Sequence, residues 1–245
     1  MPANLLRQIA CVAAFLGFFT LPALAQQAEV TAQIQVRTRG TAKESASMKS
    51  PAGAVVWLEP LDRRVDPPPP AAGPRPKLVQ KNKSFEPHLL VVPVGSTVDF
   101  PNRDPFFHNV FSLFDGKRFD LGLYEAGATN SVRFDRVGVS YLFCNIHPEM
   151  SAVVVALDTP YYAISDRSGV IHIHGVPDGR YELHVWSERS LAVDLRSLTR
   201  EVRISPASDS LGIITLTANP DFTLTHKNKY GQDYVPPPAT TYDHP

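Results

Sequence analysis

Cysteine is almost missing from this chain. Only Cys11 and Cys144 occur in 245 residues. A disulfide-stapled scaffold is therefore excluded. Net charge is missing too: 24 Lys and Arg balance 24 Asp and Glu. Nothing in that balance attracts nucleic acid or an anionic membrane. Long apolar runs are absent, and the 23 prolines leave little room for helices. The length allows one large or two small domains, with enough chain to bury a core.

The N-terminus reads as a secretory signal peptide over residues 1–25. Met1 to Arg7 carry one positive charge, Ile9 to Leu21 are mostly apolar, and Ala23-Leu24-Ala25 fits a cleavage site. The stretch is too short for a stable span, so no membrane span is expected after cleavage; an uncleaved anchor is the alternative. Cys11 leaves with the peptide. Cys144 then has no intramolecular partner in an oxidising compartment, and a lone thiol there calls for another role.

The remaining chain reads as β throughout. Val30, Ala32, Ile34 and Val36 alternate on one face, and short apolar runs follow at 54–58, 88–92, 97–100, 109–113, 131–134, 139–143 and 152–157. Others come at 161–165, 170–174, 181–186, 201–204 and 212–217, with turn formers between most of them. Residues 190–198 alone suit a helical turn or two. Residues 63–77 form a proline-rich linker, and 219–245 read as a polar, poorly packed tail.

Cys144-Asn145-Ile146-His147-Pro148-Glu149-Met150 places a thiolate, an imidazole and a thioether within seven residues, and His108 lies 36 residues before Cys144. Two His and one Cys with a weak axial Met form a blue-copper ligand set. A closed zinc site needs four strong ligands, usually with more Cys. The metal ligands are thus expected to be His108, Cys144, His147 and Met150. A β-fold that binds no metal is the competing reading.

Residues 78–157 resemble a cupredoxin of the plastocyanin–amicyanin type. The likeness is carried by Phe85-Glu86-Pro87, by Val91 to Val98, by Phe100-Pro101-Asn102, by His108-Asn109-Val110, and by Tyr141 to His147 with Met150. It implies a Greek-key β-sandwich and one type-1 copper. His108, Cys144 and His147 would be equatorial and Met150 axial. Asn109 would tie the His108 strand to the cysteine loop. Asn145 and Ile146 depart from the family pattern at the loop. Phe106, Phe107, Phe111 and Phe114 are expected mostly in the core, with one or two at a docking patch. His88 reads as a surface residue.

Residues 161–186 resemble a carboxypeptidase-regulatory, transthyretin-like sandwich, through Asp166 to Gly169 and Pro177-Asp178-Gly179. Its upstream Ala-Val-Val-x-Leu pattern sits at Ala54 to Leu58. The expectation is all-β: one sandwich split between 28–62 and 160–218, with the cupredoxin at 78–157 inserted. Trp57 and Tyr181 would then share a core. Alternatively, 28–62 adds strands to the cupredoxin. His172, His174 and His184 raise a second metal site, but polar residues opposite a core face are the default. The longer chain is also similar to exported proteins labelled methylamine-utilisation proteins.

The function expected from these readings is a periplasmic electron carrier, not an enzyme. Its redox partner proteins would dock near His147. A periplasmic copper chaperone or storage protein is the first rival. A copper oxidase or reductase is the second, and it would need a further copper centre.

Overall fold

The computed structural model describes residues 27–38, 50–62, 73–113, 116–219, 221–223 and 226–234. The signal peptide, residues 63–72 of the linker and Phe114 lie outside them. The fold is all-β. Among the described residues, the one α-helix is α1 (Ala192–Arg196). None of their helices is long and apolar enough to cross a membrane.

Two sheets are built from both ends of the chain. β1 (Gln27–Thr38) lies between β13 (Val170–Pro177) and β16 (Ser210–Ala218), antiparallel to the first and parallel to the second. β2 (Val55–Pro60) lies between β12 (Tyr162–Ile164) and β14 (Gly179–Trp186), and β15 (Arg200–Ile204) closes the far edge. Alternation explains the stacking. Val30, Ile34, Val56, Leu58, Ile171, Ile173, Tyr181 and Leu183 point inward and share one core. Trp57 is only partly buried at its margin and stacks on His184, with ring centroids 5.1 Å apart.

The turn before β13 shows how tightly this sandwich is joined. Asp166 Oδ1 accepts from the Ser168 and Val170 N–H groups. Gly169 has φ +87°, and a Cβ there would run into the Ile34 carbonyl. The Ile34 N–H in turn donates to Gly169 O at 2.7 Å. Only glycine accepts both the dihedral and the contact.

The middle of the chain forms a second core. β5 (Leu89–Pro93), β11 (Ser151–Leu157), β10 (Gly138–Phe143), β7 (His108–Ser112) and β8 (Phe119–Tyr124) make a five-stranded sheet in that order. β6 (Thr97–Pro101) pairs with β9 (Thr129–Arg133), and β3 (Val79–Lys81) with β4 (Ser84–Glu86). Phe85, Phe100, Val110, Leu142, Ala152, Val154 and Ala156 fill the space inside.

β11 belongs to both cores. Ala152, Val154 and Ala156 face the inner one, and Val153, Val155 and Leu157 face the split sandwich. All seven of its residues are buried, as its unbroken apolar run requires. The middle segment is thus not an isolated bead between two crossings. One face of its sheet is a wall of the neighbouring core.

Residues 226–234, the described part of the polar tail, are exposed or partly exposed, as expected of a poorly packed segment, but they are not detached. They lie against the sheet at Phe143 to Asn145. Lys229 N–H donates to Asn145 Oδ1 at 2.9 Å, and Tyr234 Oη donates to the Cys144 carbonyl at 2.6 Å.

Candidate metal centre

His108 opens β7, and Cys144 follows directly after β10. These strands pair through Phe111 and Phe143, which brings the two residues side by side. The hairpin from β10 to β11 closes at Phe143 and Ser151, so residues 144–150 form its loop. Met150 N–H donates to His147 O and Cys144 N–H to Met150 O, both at 3.1 Å. The loop therefore folds back over its own start.

The result is a convergence of donor atoms. Cys144 Sγ lies 3.7 Å from His108 Nδ1 and 3.5 Å from His147 Nδ1. One ligand atom from each of these residues lies within 4.8 Å of the others. Cys144 and His108 are fully buried. Met150 is buried in the same apolar cluster as Cys144. His147 is half-buried, the most exposed of these four residues.

Asp104 fixes the orientation of His108. Its Oδ2 lies 2.8 Å from His108 Nε2, so that nitrogen donates the ring proton and Nδ1 is left as an acceptor. Asp104 is itself held by the N–H groups of Asn82 at 2.6 Å and Lys83 at 2.9 Å. Burial alone would raise its pKa. The Lys83 N–H, the His108 ring and the Asn82 N–H outweigh that and keep the carboxyl below its usual value. Sequence reasoning did not single out Asp104. The available signal was a carboxylate four residues before His108, but that spacing means little until the turn is known.

Burial pushes the Cys144 thiol up, while backbone N–H groups of Asn109, Ile146 and His147 act the other way. Those N–H groups are already aimed where a thiolate would carry its charge. Burial lowers the His147 pKa first, helped by the charges of His108 and Lys83 and opposed by Asp104. A neutral imidazole beside a thiol awaiting deprotonation suits a metal ion.

The donors fit copper better than zinc. Asp104 is committed to His108 and two N–H groups, so the remaining candidate for a fourth donor is the Met150 thioether. A thiolate, two imidazoles and a thioether form a soft set.

The other candidates fall elsewhere. Asn109 does not reach the cysteine loop through its side chain. Its Nδ2 donates to Asp120 Oδ1 at 2.7 Å and to Gly122 O at 2.9 Å, while its Oδ1 is buried without a partner. His88 Nε2 pairs with Glu188 at 2.7 Å, and its Nδ1 meets Ser151 O. His172 and His174 lie beside Glu29 on one sheet. His184 lies on the other, with Glu59 and Glu182, so the three histidines do not assemble. Glu59, Glu182 and His184 do converge, but Glu59 raises the His184 pKa and favours an ion pair over a neutral ligand.

Phe111 is buried, whereas Phe106 and Phe107 are 36% and 56% exposed. The Phe106 ring lies 5.2 Å from His108 and 5.7 Å from His147.

Parts of the chain resemble solved copper proteins. A purple cupredoxin from Nitrosopumilus maritimus is 26% identical, over 33% of this chain and 96% of its own, with a TM-score of 0.30. The reduced state of an amicyanin mutant is 24% identical, over 43% and 99%, with a TM-score of 0.32. A copper-containing nitrite reductase from Thermus scotoductus SA-01 is 23% identical, over 40% and 28%, with a TM-score of 0.35. No protein-family model and no curated protein sequence matches the chain. These likenesses are partial.

Proposed function

We propose that the protein is an exported, periplasmic electron carrier. It holds one type-1 copper between His108, Cys144, His147 and Met150. The observation that carries this reading is the convergence of Cys144 Sγ with the Nδ1 atoms of His108 and His147. Copper bound there would supply a one-electron couple between Cu(II) and Cu(I).

The chain's own groups support a fixed geometry. Asp104 holds the His108 tautomer, the closed loop holds Cys144 and Met150, and burial excludes water. Rigid ligands favour electron transfer because little has to move between oxidation states. Storage or delivery requires ligands that an acceptor can reach, yet Cys144 and His108 are both 0% exposed.

His147 is the electron port in this reading. Phe106, Phe107 and Ile146 are exposed near it and offer redox partner proteins an apolar docking surface. Copper content, visible spectrum and a reversible potential test the proposal. Ready transfer of the metal to a chelating acceptor protein would favour delivery instead.

A further inference from the structure

Residues 226–234 touch three consecutive positions, the last residue of β10 and the first two of the 144–150 loop. The His226 ring lies 4.3 Å from that of Phe143, centroid to centroid. Tyr234 Oη donates to the Cys144 carbonyl at 2.6 Å. Lys229 N–H donates to Asn145 Oδ1 at 2.9 Å.

A second connection runs through the Lys229 side chain. Its Nζ reaches Asp120 Oδ2 at 2.7 Å, and Asp120 Oδ1 accepts from Asn109 Nδ2 at 2.7 Å. Asn109 follows His108, and Asn145 follows Cys144. The route Asn109–Asp120–Lys229–Asn145 therefore joins the neighbours of two converging donor residues. The segment has a shape of its own as well. Asn228 Oδ1 accepts from the Tyr230 and Gln232 N–H groups, and Asn228 O from the Gly231 N–H.

We propose that Lys229 and Tyr234 are positioning residues of the metal centre, and that 226–234 is a strap fixing the plane of the Cys144–Asn145 peptide. This rests on the copper reading above. The physical reason is local. A hairpin loop held only by its ends and its own backbone bonds leaves the Cys144 carbonyl free to swing. Swinging that peptide turns the chain about the Cys144 Cα–C bond, which shifts Asn145 and the loop after it and so moves His147 and Met150 relative to the sulfur. The phenol and Asn145 contacts hold it from outside the loop, and the Asp120 link holds it relative to His108.

The test uses the full chain with Tyr234→Phe, Lys229→Ala and Lys229→Arg. In metal-free protein, amide exchange across 144–150 is expected to quicken about tenfold in Tyr234→Phe and Lys229→Ala. Exchange in β13 and β14 stays unchanged, showing an intact fold. With copper, affinity should fall about tenfold and the visible band should shift. Lys229→Arg restores both by keeping the charge at Asp120. Unchanged loop exchange overturns the strap. So does faster exchange with unaltered copper affinity and spectrum. If wild-type protein takes up no copper, the copper reading falls, and loop exchange alone decides whether the strap holds the loop.

Discussion

Asp104 and His108 are buried together, with Asp104 Oδ2 2.8 Å from His108 Nε2. The carboxylate thereby decides which imidazole nitrogen faces Cys144. Asp104→Ala removes that decision along with an acceptor for two N–H groups. Copper affinity should fall by about ten- to a hundredfold. Competition titration against a chelator of known affinity checks this. Unaltered affinity would show that His108 is oriented by packing alone.

Met150→Leu should retain the copper and raise its reduction potential. Loss of a weak axial donor favours Cu(I), while Cys144, His108 and His147 still hold the metal. Voltammetry reads the shift. Loss of the metal would instead make Met150 a primary ligand.

His88 ties the start of β5 to Glu188, beyond the end of β14. The hydrogen bond that His88 Nε2 donates to the Glu188 carboxylate raises the His88 pKa, although burial opposes it. A histidine that holds its proton more firmly when folded stabilises the fold while protonated. That contribution is complete below the unfolded value of about 6.5, and it fades as pH rises through the raised folded value. His88→Gln should therefore be less stable than wild type below about pH 6.5, with the gap closing on the alkaline side. Denaturation midpoints across pH test this; a constant gap would contradict it.

Val154 and Val155 are adjacent on β11 yet face different cores. Val154→Ala and Val155→Ala should each cost about 2 kcal/mol. Because the strand is common to both cores, tryptophan fluorescence and the visible band should be lost in one transition. Both tryptophans, Trp57 and Trp186, belong to the split sandwich. Two separated transitions would mean that the cores unfold independently.

The cluster of donor side chains is legible because its chemistry is written contiguously: Cys144, His147 and Met150 fall within one hairpin turn. The strands were legible where alternation is clean, as at Val30 to Val36. β8 was not: Phe-Asp-Leu-Gly-Leu-Tyr carries a glycine and only one fully buried side chain. The apolar run of β11 was read as a strand, but such a run does not say that two different cores cover its faces. The contacts of residues 226–234 escaped notice because they are a few hydrogen bonds, the Lys229–Asp120 ion pair and the packing of the His226 ring on Phe111 and Phe143. A polar, aperiodic sequence gives no pattern for contacts of that kind. Asp104 escaped for a related reason: its role depends on the fold of residues 102–108.

The most direct test is the copper content and visible spectrum of purified wild-type protein beside Cys144→Ser. Wild type should bind one copper per chain and show an intense thiolate-to-Cu(II) absorption. Cys144→Ser should lose that absorption and stay a folded β-protein. A wild-type protein fully loaded with Cu(II) yet colourless would contradict the account.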